Sequence, residues 1–379
     1  MSKLDELIQE LCPDGVEFVS MNELLKRKQI STITPTIKVK RNDYLDIGET
    51  PIISQEIEYI SGYCNFHDKN IPCGNYVCFG DHSEHIKYIN FSFVQGADGL
   101  KIMRTNESTI SSRYLFHALS SKYQRHNNYE RHFKYLTDTI IPVPPLPVQC
   151  EIVRILDNFT ELTAELTAEL TARKKQYAYY RDKLLTFGDV RGGATSDVIR
   201  RTLGEVCKIS AGGDAPKDSM SKQKTEKYSV PIISNGIGEN ALYGYTDAPK
   251  VEEPAVTVAA RGTIGYAEYR DYPFYPIIRL LTAIPKDSTV VNTKYLYYCL
   301  QGKQYSVPMG GIPQLTAPEL KKVEIPIPSL DVQNRIVQVL DNFDAICTDL
   351  SSGLPAEIEA RQKQYEYYRD KLLSFEEKI

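Results

Sequence analysis

The sequence predicts an α+β protein: two tandem globular domains separated by two long helices, packed as an antiparallel coiled coil with pseudo-twofold symmetry. Three observations predict it. The chain is written twice, each copy leaves its globular part through a proline-rich segment into a heptad-patterned run, and the stretches between are short β-rich runs punctuated by Gly and Pro. The first domain is expected over 1–145, with a short N-terminal helix, and the first long helix over 146–187. The second domain is expected over 188–328 and the second long helix over 329–379.

The repeat is sharpest at the domain exits. Ile141-Pro142-Val143-Pro144-Pro145-Leu146-Pro147-Val148-Gln149 is answered by Ile325-Pro326-Ile327-Pro328-Ser329-Leu330-Asp331-Val332-Gln333. Leu156-Asp157-Asn158-Phe159 returns as Leu340-Asp341-Asn342-Phe343, and Gln176-Tyr177-Ala178-Tyr179-Tyr180-Arg181-Asp182-Lys183-Leu184-Leu185 as Gln364-Tyr365-Glu366-Tyr367-Tyr368-Arg369-Asp370-Lys371-Leu372-Leu373. The globular parts repeat more faintly, as in Pro51-Ile52-Ile53-Ser54 and Pro231-Ile232-Ile233-Ser234. Near-identical helices between diverged domains suit two copies with one mechanical job and different targets.

Proline cannot continue a helix, so each exit marks a firm boundary. Beyond the first, Ile152, Leu156, Phe159, Leu166, Leu170, Tyr177, Tyr180 and Leu184 keep a four-three seam. Thr163-Ala164-Glu165-Leu166 repeats at once as Thr167-Ala168-Glu169-Leu170, a run of strong helix formers expected to be stiff. The partner seam runs through Ile336, Leu340, Phe343, Cys347 and Leu350 and resumes at Leu354. Asn158 stands 15 residues before Arg173, but Asn342 stands 19 before Arg361. The four extra residues coincide with Gly353-Leu354-Pro355, where one helix should end and another start. Tyr179, Tyr180, Tyr367 and Tyr368 read as packing groups on or beside the seam.

These residues carry a family resemblance over essentially the whole chain. Two variable segments, each followed by a Pro-rich exit and a helix with Leu-Asp-Asn-Phe near its start and Gln-Tyr-x-Tyr-Tyr-Arg-Asp-Lys-Leu-Leu at its end, resemble type I restriction–modification specificity subunits. The tandem Thr-Ala-Glu-Leu unit resembles the type IC subgroup. The resemblance implies that each globular segment is a target-recognition domain reading one half of a split, asymmetric site in double-stranded DNA. It implies helices that set the unread spacer and dock two modification (methyltransferase) subunits, joined by two restriction (translocase and nuclease) subunits. S-adenosylmethionine and ATP are then expected on the partners and no cofactor in this chain.

Composition agrees with such a role without proving it. With 42% hydrophobic and 25% charged residues, the 379-residue chain is globular rather than disordered. No apolar run is long enough to span a bilayer, and the polar start Met1-Ser2-Lys3-Leu4-Asp5-Glu6 is not the core of a signal peptide. A cytoplasmic chain is expected, its eight scattered cysteines free thiols. The net charge of −4 means that DNA binding must rest on local basic patches, on partners, or on both.

Catalytic motifs are missing. No phosphate-binding loop ending in Gly-Lys-Ser/Thr occurs, nor an Asn/Asp-Pro-Pro-aromatic tetrad for a flipped base. Gly236-Ile237-Gly238-Glu239-Asn240-Ala241 fits a dinucleotide fingerprint formally, but the glycine and prolines beyond it leave no room for its helix, so it reads as a turn. Cys64, His67, Cys73, Cys78, His82 and His85 are ligand types, and Cys64-x-x-His67 has the spacing of a close pair, but Cys73 and Cys78 do not and the second copy has no counterparts, so no metal is expected there. Sequence readers need polar side chains at base edges and cations on phosphates. The candidate DNA contacts are therefore Lys122, Gln124, Arg125, Asn127, Asn128, Arg131 and Lys134 in the first domain, and Lys222, Lys224, Arg261, Lys303, Gln304, Tyr305 and Gln314 in the second. Two other classes remain open: a coiled-coil scaffold presenting two protein-binding heads, favoured by the negative charge, and a zinc-dependent enzyme built on the Cys/His cluster.

Overall fold

Tyr76-Val77-Cys78-Phe79-Gly80 is buried at every position, and it is an inner strand of a four-stranded antiparallel sheet. The computed structural model describes residues 2–35, 37–65, 70–96, 99–187, 198–305, 313–349 and 351–378. They form two compact units: Met1–Thr167 with Glu357–Ile379, and Ala168–Ala356.

In the first unit the sheet order is Ile30–Ile33, Leu100–Thr105, Tyr76–Gly80, Ile86–Ile89. Beside it, Thr50–Ile53 lies between Gly62–Cys64 and Val94–Gln95, with the last pairing parallel. Phe18–Ser20 pairs with the exit strand Ile140–Pro142. The second unit repeats this plan. Its main sheet runs Cys207–Ala211, Leu281–Pro285, Ala255–Val258, Ala267–Arg270, and Val230–Ile233 pairs parallel with Tyr275–Pro276. Ile199–Thr202 closes on the exit strand Glu324–Ile327. The two Pro-Ile-Ile-Ser motifs thus mark the same strand in two copies of one fold, α+β as the sequence predicts.

The repeated exits work through a buried glutamine. Gln149 accepts from Ser111 N (3.0 Å) and donates to Thr109 O (3.0 Å) and Pro144 O (2.8 Å). Gln333 accepts from Asn292 N (2.9 Å) and donates to Val290 O (2.8 Å) and Pro328 O (2.9 Å). Neither is solvent-exposed. Gln149→Ala or Gln333→Ala leaves three backbone groups, one of them buried, without this partner, so each is expected to destabilise its unit by about 2 kcal/mol. Urea titration checks this, and a loss below about 1 kcal/mol in both variants would contradict it.

Leu146–Thr186 is one helix of 41 residues, about 60 Å long. The later segment is two helices, Leu330–Thr348 and Leu354–Leu372. Gly353 stands at the break, where a Cβ would lie 2.6 Å from Asp349 O and 2.7 Å from Ala345 O.

The recurring helical motifs hold their domains from the same positions in each unit, through different partners. Asp157 accepts from Arg113 Nε (2.7 Å) and His117 Nε2 (3.1 Å), and His117 Nδ1 meets Tyr365 OH at 3.0 Å. Burial pushes the His117 pKa down, so its neutral ring donates to Asp157 and accepts from Tyr365. Its counterpart Asp341 accepts from Lys294 Nζ (2.8 Å) and Tyr298 OH (2.5 Å). Phe159 stacks on Tyr368 and Phe343 on Tyr180, at 5.3 and 5.8 Å between centroids. Tyr180 and Tyr368 are packing groups, but Tyr179 and Tyr367 are 60% and 62% exposed, which corrects the packing assignment for that pair.

Candidate nucleic-acid interface

In each unit the loops leaving the paired sheets are stitched by an amide that directly follows Pro-Ile-Ile-Ser. Gln55 accepts from His82 N through Oε1 (3.1 Å), and its carbonyl from Ser83 Oγ. Asn235 accepts from Ala260 N through Oδ1 (2.7 Å), and its carbonyl from Thr263 Oγ1 (2.7 Å). The repeat followed by an amide in both copies was the sequence signal for these two residues.

The first domain's candidates leave the helix Ser112–Lys122 in one loop, fixed by Glu84. Glu84 is 3% exposed with φ +58°, in the turn after Tyr76–Gly80. It accepts from Tyr123 OH (2.6 Å), His126 N (2.8 Å) and Asn127 N (2.7 Å). Desolvation works against its charge, but these hydrogen bonds and nearby His132 outweigh it and hold the carboxyl at about 2. Farther on, His132 N donates to Asp81 O (2.8 Å) and Phe133 N to Asp81 Oδ1 (2.9 Å). The loop is pinned at both ends.

Between the pins, Gln124, Arg125, Asn127, Asn128 and Arg131 are exposed. Arg125 Nη2 reaches His85 Nδ1 at 3.3 Å. Asn128 is engaged on both sides, donating to Glu130 (3.0 Å) and accepting from His132 Nε2 (2.8 Å). Lys134 pairs with Glu130 at 3.1 Å and lies over the Tyr135 ring. Lys122 is half-exposed at the helix end. Among the described residues, the side chains of Gln124, Asn127 and Arg131 have no protein partner, so they are open to a ligand.

The second domain does not gather its candidates into one loop. Lys222 caps the Tyr243 ring at 3.6 Å and donates to Tyr243 O (2.9 Å), while Lys224 is exposed on the same arm. Arg261 directs two N–H groups at Gln314 Oε1, at 2.9 and 2.7 Å. Lys303 donates to Glu324 O (2.9 Å) and lines a cavity of about 310 Å³ with Arg181 and Arg200; burial lowers its pKa. Gln304 is exposed. Tyr305 differs from a groove-facing group: its ring fills the space a Cβ on Gly265 would take, 2.7 Å away, and burial pushes its pKa up. Residues 306–312, part of the same candidate segment, lie outside the described residues.

The Cys/His cluster does not converge. Cys64 and Cys78 are buried in strands, with burial pushing the Cys78 thiol up to about 12, and Cys73 bonds Asn90 O. His67 lies outside the described residues, among which no group of His, Cys, Asp and Glu has the geometry to hold a metal ion. After Gly236 the chain makes only a 3-10 turn, Gly238–Ala241, and enters the strand Leu242–Thr246. The dinucleotide fingerprint lacks its helix.

Comparison with known proteins gives a consistent result. The family described as type I restriction modification DNA specificity domain matches residues 13–173 and 196–360. The EcoR124I/EcoR124II type I restriction enzyme specificity subunit of Escherichia coli is 30% identical, over 99% of this chain and 97% of its own. The crystal structure of a type I restriction–modification S subunit from M. genitalium is similar in fold, with TM-score 0.57, 14% identity, and 95% and 96% of the two chains covered. A chain from a structural study of complex assembly and conformational transition of the type I R-M system gives TM-score 0.58 at 18% identity, covering 95% and 98%.

Proposed function

We propose that this chain, which belongs to the type I restriction–modification DNA specificity family, reads a bipartite, asymmetric target in double-stranded DNA, one half-site through each globular domain. The observation that carries this reading is the repeated loop framework with unlike exposed side chains. Gln55 and Asn235 make equivalent hydrogen bonds, yet the first domain offers Gln124, Asn127 and Arg131 in one loop, while the second exposes Lys224 and Gln304 on separate segments. One scaffold with two surfaces suits two different half-sites.

The chain acts as the non-catalytic reader of a larger assembly, in the cytoplasm. Its helices dock two modification subunits, which bring S-adenosylmethionine, and two restriction subunits, which bring ATP. Among the described residues no helix is long and apolar enough to cross a membrane. Among the described residues a zinc enzyme has no assembled ligand set to start from.

Methylome sequencing of a host carrying this chain with its modification subunit tests the reading. The expected result is one split motif with unlike halves. Replacing residues 198–328 by another domain of the same plan is expected to change one half only. A change in both halves, or methylation without a motif, would overturn it.

A further inference from the structure

We infer that Arg279 reads a guanine edge in the half-site addressed by the second domain; this rests on the DNA-specificity reading above. Ile278 and Arg279 are consecutive non-glycine residues with φ +52° and +60°. L side chains avoid this conformation, and a β-branched one is a genuine outlier there. Such strain persists only where the surroundings over-determine it.

Here they do. Ile278 N donates to Gly213 O (2.8 Å), Arg279 N to Gly212 O (2.9 Å), and Gly212 N to Leu280 O (2.8 Å). Asn235 Nδ2 donates to Ile278 O at 2.6 Å, so the residue that fixes Ala260 fixes this turn as well. Gly212 admits the close approach because it has no Cβ; one would lie 2.7 Å from Ile277 N.

Packing does not account for the strain, since Ile278 is 46% exposed and Arg279 is exposed too. Nor does ion pairing. Arg261 is engaged by Gln314 and Arg270 by Glu268, whereas no described residue bonds the Arg279 guanidinium. The result is a five-donor planar fork, open to solvent, on a backbone that cannot drift. A phosphate contact needs no such aim, and the exposed Lys217 or Lys224 on the adjoining arm supplies one. A planar fork rising from a fixed backbone position suits a site where two acceptors must be met in register, as with O6 and N7 of guanine in the major groove.

The test uses the full chain with its modification subunits, with methylome sequencing and gel shifts over duplexes varied one base pair at a time. In Arg279→Gln, one guanine in one half-site is expected to lose its requirement, with selectivity there falling about 5- to 150-fold. The other half-site and the gap stay as they were. Arg279→Lys keeps the charge but not the fork, and is expected to relax the same position; it stands in should Arg279→Gln fail to fold. An unchanged motif in both variants overturns the assignment. So does a uniform loss over all sequences that Lys restores, the mark of a phosphate contact. A wild-type chain that yields no split motif sinks the DNA reading itself, a different result from a split motif indifferent to Arg279.

Discussion

Deleting Thr163–Leu166 is expected to shorten the unread gap of the target by one or two base pairs while leaving both half-sites intact. The unit lies inside the uninterrupted helix Leu146–Thr186, with no glycine between Leu146 and Thr186 and its one proline, Pro147, in the first turn. Four residues of helix amount to about 6 Å, against roughly 3.4 Å per base-pair step. The deletion also rotates the C-terminal remainder of the helix by only about 40°, because four residues at about 100° each overshoot one full turn by that amount. Leu162 and Leu170, four positions apart after the deletion, therefore keep to one side of the helix. Thr163 Oγ1 and Thr167 Oγ1 bond back to Phe159 O and Thr163 O, both at 2.8 Å, so the threonines of the tandem unit are satisfied within the helix. The compact units part between Thr167 and Ala168, inside this tandem, so the deletion touches neither domain's core. Inserting a further unit should lengthen the gap by the same amount. Methylome sequencing reads both variants, and an unchanged gap in an active assembly would remove the metric role of the helix.

The sequence displayed the frame of this protein more openly than its surface. Heptads, prolines and the double Leu-Asp-Asn-Phe announce helices and boundaries because periodicity and backbone sterics are local properties. Asp157 and Asp341 show why the motif recurs: each ties its helix to a domain through partners more than 40 positions away, Arg113 with Asp157 and Lys294 with Asp341. The reading surface was only partly legible. The loop 124–131 was visible as a polar, basic stretch, but Tyr305 belongs to a similar stretch and packs inward, since Gly265, 40 positions earlier, makes room for its ring. Composition cannot separate those cases. Glu84 was missed because one acidic residue in a turn carries no periodic signal, and its role exists only once Tyr123, His126 and Asn127 fold back over it.

That dependence gives Glu84 a large expected effect in the first domain. Glu84→Ala leaves a buried tyrosine hydroxyl and two backbone N–H groups without an acceptor, and is expected to destabilise the unit by about 3 kcal/mol or more. It should also release Gln124, Asn127 and Arg131, so that methylation keeps the half-site of the second domain and loses discrimination in the other. The pH dependence has a fixed sign. The folded carboxyl, at about 2, lies below its ordinary value of 4.5. Its contribution, up to about 3 kcal/mol, is complete above pH 4.5 and is lost as pH falls toward 2. Glu84→Gln keeps one acceptor oxygen but no charge, so that part of the acid dependence should vanish from its denaturation curves. If Glu84→Ala melted like the wild type and still methylated an unaltered split motif, the loop would owe its shape to something other than this carboxylate.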